Sequence, residues 1–174
     1  MWAGRFISAK RRGRWEYATR ARDIRAVVIL AIDDGHVLLV DQHRVPLGRR
    51  CLELPAGLVG DGAAGEAVEV AAVRELEEET GYRAEAIESL GEYHSSPGMV
   101  SESFTLVRAT GLARVGQGGG VEDEGIVVHR VPLAVIADYV AARRAEGMAI
   151  DVKICLLLGA GMMADVELSK SERS

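Results

Sequence analysis

Apolar residues follow two different periods along the chain. Ala26 to Ile32 and His36 to Val40 are runs rich in valine, isoleucine and leucine, separated by Asp33-Asp34-Gly35, a turn sequence that suits a β-hairpin. Cys51 to Leu54 reads as a short strand stopped by Pro55, and Trp15 to Thr19 alternates enough to suggest another. Strand signal returns at Ala86 to Tyr93, Ser103 to Ala109 and Ile126 to Val131. A helical period governs Ala67 to Thr80, with Val70, Val73 and Leu76 expected on its apolar side and Gly81 placed as a left-handed cap. Pro132 opens a second helix that stops near Gly147, and Asp151 caps a last one reaching about Leu158. Gly57 to Gly65 and Gly116 to Gly120 read as glycine-rich loops, and Ser169 to Ser174 as a disordered tail. No repeat or interdomain linker interrupts the pattern. Hairpins without regular strand–helix alternation predict a mixed α/β domain.

Composition narrows the class. A chain of 174 residues suits one domain with a sizeable core, and 48% hydrophobic with 27% charged residues describes a folded protein. A net charge of −5 argues against general nucleic-acid binding, although Arg5, Lys10, Arg11, Arg12 and Arg14 gather early, as a solvated terminus or a phosphate-attracting lip. Cys51 and Cys155 stand far apart without CxxC spacing, so they predict buried apolar fillers, not a disulfide framework or zinc site. The four histidines, His36, His43, His94 and His129, show no ligand spacing. No apolar stretch reaches about 18 residues, so neither a signal nor a membrane span is expected, and a cytoplasmic setting fits.

The acidic run changes the picture from fold to chemistry. Arg74-Glu75-Leu76-Glu77-Glu78-Glu79-Thr80-Gly81 places four carboxylates within five positions. Like charges three or four apart on a helix repel. Glu75, Glu78 and Glu79 fall on one side of that helix, while Glu77 points elsewhere. Arg74, one turn before Glu78, can orient it but cannot neutralise the cluster. Mg²⁺ takes oxygen ligands, typically one or two carboxylates plus phosphate oxygens, so the run predicts a Mg²⁺-binding helix for a phosphorylated substrate. The plainer reading is a solvated acidic face.

The flanking residues decide between them. Gly60, five residues, Glu66, seven residues, then Arg74, Glu75, Leu76, Glu78, Glu79, Gly81 and Tyr82 reproduce the box of the Nudix hydrolases over 23 residues. The similarity runs from about residue 14 to 160. Glu53-Leu54-Pro55-Ala56-Gly57-Leu58, Ser96-Pro97-Gly98 with Glu102, and Glu122-Asp123-Glu124 resemble the ADP-ribose pyrophosphatase branch. The resemblance implies an α/β/α sandwich of mixed sheets. It implies hydrolysis of ADP-ribose or a related nucleoside diphosphate sugar with Mg²⁺ (or Mn²⁺), two or more ions per site, and a homodimer exchanging its N-terminal segment. On that pattern residues 1–25 form the exchanged strand segment, 26–160 the catalytic domain and 161–174 a tail.

Carried over by position, Glu75 and Glu79 resemble metal ligands with Glu78 close by, Glu66 supporting and the carbonyl of Ala56 adding a backbone ligand. Glu122 resembles the water-activating base and Glu124 a further metal contact. Arg74 and Glu78 complete the catalytic group. Arg44 resembles a phosphate-binding arginine and Glu102 a contact to the terminal ribose. Glu53 lies in the substrate-binding turn, and Arg14, Trp15 and Glu16 where the family places adenosine contacts, partly from the partner subunit. A short insertion separates Pro55-Ala56-Gly57 from Glu66, so either Gly57 or Gly60 fills the glycine's structural role. Two alternatives share the fold: a pyrophosphohydrolase of oxidised nucleoside triphosphates, and a non-catalytic nucleotide-sensing module, which would show an eroded box.

Overall fold

The computed structural model describes residues 1–21, 24–60, 65–121 and 124–162. The strands are β1 (Ile7–Arg12), β2 (Trp15–Arg20), β3 (Arg25–Asp33), β4 (His36–Arg44), β5 (Arg49–Glu53) and β6 (Ala56–Val59), then, after helix α1 (Val68–Thr80), β7 (Tyr82–His94), β8 (Ser103–Arg114) and β9 (Val127–Pro132). Helix α2 (Ile136–Ala145) and a two-residue β10 (Ala149–Ile150) follow. Asp151 accepts a hydrogen bond from the Lys153 amide at 2.7 Å, and the turn it caps, Val152–Ile154, runs on into helical residues 155–162.

β3 and β4 form the expected hairpin, turning through Asp34 and Gly35 in the left-handed region. They pair only at that end, Ile32 with Val37 and Asp33 with His36, and then diverge. β3 pairs onward with antiparallel β6 and parallel β8, which pairs with β7. β4 pairs with antiparallel β5 and β9, and β10 joins β5 in parallel. The fork opens a gap between β3 and β4, and the turn from β5 to β6 crosses it.

Strand alternation distributes the core to two faces. Val27, Ile29, Ala31, Leu38, Val107 and Ala109 pack under Ala71, Ala72 and Leu76 of α1. Val28, Val37, Leu39, Leu52, Leu106 and Val131 pack under Ile136 and Val140 of α2, with Ile154. This is the predicted α/β/α sandwich on a mixed sheet.

Four expectations are corrected. The apolar side of α1 is Ala71, Ala72 and Leu76, while Val70 is exposed. Leu76 is in the core as expected and Val73 is half-buried, so the buried side is rotated from the valines toward the alanines. β1, β6 and β10 form where loops or no element were expected, because pairing partners supply what their own sequences lack. Consequently the segment from Gly57 begins as strand rather than loop. Cys51 is buried, but Cys155 is exposed on the terminal helix. The tail at 169–174 lies outside the described residues.

Candidate active site

The register of α1 fixes the first element. Ala72, Leu76 and Glu79 are three and four residues apart, so the helix that buries Leu76 also buries Glu79, which is 6% exposed. Its carboxylate accepts a hydrogen bond from the Ala56 amide at 3.1 Å, across the fork between β3 and β4. Burial pushes the Glu79 carboxyl up to about 8; the Ala56 N–H opposes this, and the charges of Glu75 and Glu124 add to it. Glu75 is also raised by burial, against the pull of Arg74.

Gly57 makes room for this pair. A Cβ there would lie 1.9 Å from Cδ of Glu75. Gly60 acts through its backbone instead, and at φ 89° its amide donates to Oε2 of Glu66 at 2.9 Å. Both glycines of the lengthened turn therefore carry structure. Glu66 is held well below the usual carboxylate range by Arg74 first and the Gly60 amide second.

Arg74 is a hub. Its guanidinium reaches Glu66 at 3.2 Å, Glu75 at 2.8 Å, Glu78 at 3.2 Å and the carbonyl of Leu58 at 3.1 Å. Glu77 turns away to pair with Arg83, as the helical wheel requires.

The glycine loop after β8 is stitched to the end of α1. Gly119 donates to the Glu79 carbonyl at 2.8 Å and Gly120 to the Glu78 carbonyl at 3.0 Å. Gly118 sits so close that a Cβ would lie 2.4 Å from the Thr80 carbonyl carbon. This docking brings Glu124 into the wall of a cavity of about 630 Å³ that also holds Arg44, Glu53, Ala56, Glu75, Glu79 and Glu102. Glu122 lies outside the described residues.

Arg44 meets the buried Glu53 through two hydrogen bonds of 2.7 Å, which raise the guanidinium's pKa. Glu102 pairs with Arg20 at 2.5 Å. Glu78 is on the outer side of α1 with Arg74, facing a shallower groove of about 750 Å³ with Val70, Val73 and Ile87. That groove brings together no buried carboxylates, so the cavity beside Glu79 is the candidate site. Arg14, Trp15 and Glu16, at the turn and start of β2, do not line the cavity of their own chain.

Nothing in the linear pattern of residues marks Arg20, Phe104 or Lys153, which also line the cavity. Lys153 stands 2.7 Å from Asp151 and 5.7 Å from the ring centre of Phe104. Three separate elements deliver them, and no local spacing reveals such a set.

Among the described residues no three His, Cys, Asp or Glu side chains close on one point. Mg²⁺ does not need that. It takes one or two carboxylates and completes its shell with water, carbonyl and phosphate oxygens. An oxygen-only donor set around a buried carboxylate with a raised pKa fits such a cation, which would relieve the cost of charging Glu79.

A family model described as the NUDIX domain matches residues 22–146. The chain is 36% identical over 121 residues to the methanol dehydrogenase activator of Bacillus methanolicus, covering 68% of this chain and 64% of that protein. It is 37% identical over 120 residues to an ADP-ribose pyrophosphatase of Bacillus subtilis, covering 68% and 63%. The chain thus spans a little under two thirds of either relative. A solved ADP compounds hydrolase superposes with a TM-score of 0.64 at 24% identity, covering 91% of this chain and 92% of that one, a likeness of fold.

Proposed function

The chain belongs to the Nudix hydrolases, and on that premise we propose that it hydrolyses the diphosphate bond of ADP-ribose or a related nucleoside diphosphate sugar. The products are a nucleoside monophosphate and a sugar phosphate. The observation that carries the reading is the buried Glu79 beside Glu75, in one cavity with Arg44 and Glu124. The similarity to an ADP-ribose pyrophosphatase supports the substrate class.

A diphosphate resists attack because its anionic oxygens repel a nucleophile. Bound Mg²⁺ ions supply charge neutralisation and a more acidic water. Glu75, Glu79, Glu124 and the Ala56 carbonyl would hold them, with Glu78 adjacent. Arg74 keeps Glu75 and Glu78 oriented. Arg44, aimed by Glu53, offers a planar fork to phosphate oxygens, and Glu102 faces the terminal ribose. Glu122 takes the proton of the attacking water. Residues 26–160 form the catalytic domain and 161–174 a tail. Residues 1–25 act in a homodimer, placing Arg14, Trp15 and Glu16 against the partner's adenosine site, and the enzyme works in the cytoplasm.

Incubating purified protein and Mg²⁺ with ADP-ribose, ADP-glucose, GDP-mannose, a diadenosine polyphosphate and 8-oxo-dGTP, with products separated chromatographically, tests the reading. AMP and ribose 5-phosphate from ADP-ribose are expected. Preferential release of pyrophosphate from 8-oxo-dGTP would instead assign the triphosphate-sanitising activity.

A further inference from the structure

We propose that Arg50, outside the cavity, is a positioning residue that fixes the Glu124 segment by tying the Gly125 backbone to the buried Asp41. Asp41 lies in β4, and its carboxylate is 4% exposed. One of its oxygens accepts from Nε of Arg50, and the other meets Nε2 of His129, in β9, at 2.5 Å. With Nε so engaged, Nη2 of Arg50 donates to the Asp41 carbonyl at 2.7 Å and to the Gly125 carbonyl at 3.1 Å. One guanidinium therefore joins β5, β4 and the residue after Glu124.

The tie closes a loop already held at its neck. The Ile126 amide donates to the Gly119 carbonyl at 3.3 Å, and Gly119 and Gly120 are bonded to α1. Between the neck and Arg50 stands Glu124, whose Oε2 accepts from the Val121 amide at 3.1 Å. Gly125 sits at φ 57°, and nothing would meet a Cβ there within 4 Å. No neighbour therefore crowds the Cα of Gly125 on that side, and the Arg50 bond is the side-chain contact that holds its carbonyl. An arginine is needed because its planar fork serves a carboxylate and two carbonyls together, whereas an ammonium is a single point of charge. Asp41 is fully engaged by these partners: paired and buried, it faces Arg50 and His129, not the cavity.

The catalytic consequence rests on the hydrolase reading, and the tie itself does not. Steady-state kinetics and peptide-level hydrogen exchange on wild type, Arg50→Lys and Arg50→Ala test both. Arg50→Lys keeps a cation beside Asp41, so the fold is retained while the second connection is lost. We expect kcat to fall about tenfold with KM changed less than about twofold, the signature of misplaced machinery rather than lost substrate contacts. Exchange in residues 119–127 should quicken about tenfold, with α1 unchanged. Arg49→Ala, at the exposed neighbouring position, should match wild type in both measurements. Wild-type exchange in both Arg50 variants would overturn the tie. Faster exchange with unchanged kcat would overturn the positioning role. A wild type inactive on every nucleoside diphosphate sugar, with faster loop exchange in the variants, would refute the hydrolase reading while upholding the tie.

Discussion

At the scale of single residues, Glu79 is where fold and chemistry conflict. Its carboxyl is buried by the same helix register that buries Leu76, and burial raises it from 4.5 to about 8. Between those values the folded, metal-free protein holds a proton that the unfolded chain has released. Stability must then fall as pH rises from about 4.5 to 8, by at most about 1.4 kcal/mol per pH unit from this group. Thermal melts of EDTA-treated protein should show that decline, and Mg²⁺ should raise the midpoint more at pH 8 than at pH 6. A flat profile in EDTA would remove Glu79 as the buried acid. Glu79→Gln should lower kcat on the order of 10²-fold or more, about 3 kcal/mol. Near-normal turnover at saturating Mg²⁺ would sink its assignment as a ligand. Gly57→Ala makes a sharper test, because the new methyl occupies the space of Cδ of Glu75. It should cost activity by at least about tenfold while moving the melting midpoint only a few degrees. The carboxylates were legible in the sequence, since four in five positions demand an explanation. Which one is buried was not, because an apolar side centred on Val70, Val73 and Leu76 leaves Glu79 at its margin, whereas the side formed by Ala72 and Leu76 places it at the centre.

At the scale of elements, the site is a junction of α1, the β5–β6 turn and the loop after β8. Gly81 ends α1 in the left-handed region, and its carbonyl accepts from the Val115 and Gly116 amides. Gly118 then packs on the last peptide of the helix, at φ 68° and with no room for a Cβ. Gly118→Ala should therefore displace the whole loop. We expect a loss of kcat of about tenfold or more, with the core unchanged. Unaltered kinetics would show that the loop tolerates the shift. Elements with their own periodicity were readable: β3, β4, α1, β8 and β9 lie within a few residues of their expected bounds. β6 was not, because Ala-Gly-Leu-Val after Pro55 carries no alternation and becomes a strand only against β3. β1, Ile-Ser-Ala-Lys-Arg-Arg, is likewise defined by its partner β2. Sequence period reports burial, and these strands are exposed or edge-bound.

At the scale of the whole molecule, the β1–β2 hairpin and the residues before it leave large apolar side chains in solvent. The hairpin docks through Ala18, whose backbone bonds Met99 and Ser101 at 3.0 Å, and through Arg20 to Glu102. Trp2, Phe6 and Trp15 remain exposed at 60%, 66% and 58%. Large exposed apolar groups on an arginine-rich ribbon are the composition of an interface. Light scattering should give twice the 18.7 kDa chain mass, and deleting residues 1–17 should yield monomers with weakened substrate affinity. A dimer alone would not show that the hairpin serves the partner's site, but subunit mixing can. Glu79→Gln disables the helix and leaves the hairpin intact; Trp15→Ala does the reverse. If the hairpin acts across the interface, mixed dimers contain one site with both parts intact. Random reassortment of two inactive variants should then recover about a quarter of wild-type activity, since half the dimers are mixed and each carries one competent site. Recovery should rise with time after mixing, as subunits exchange. If no activity returns although mixed dimers are seen by native mass spectrometry, the hairpin serves its own subunit or neither.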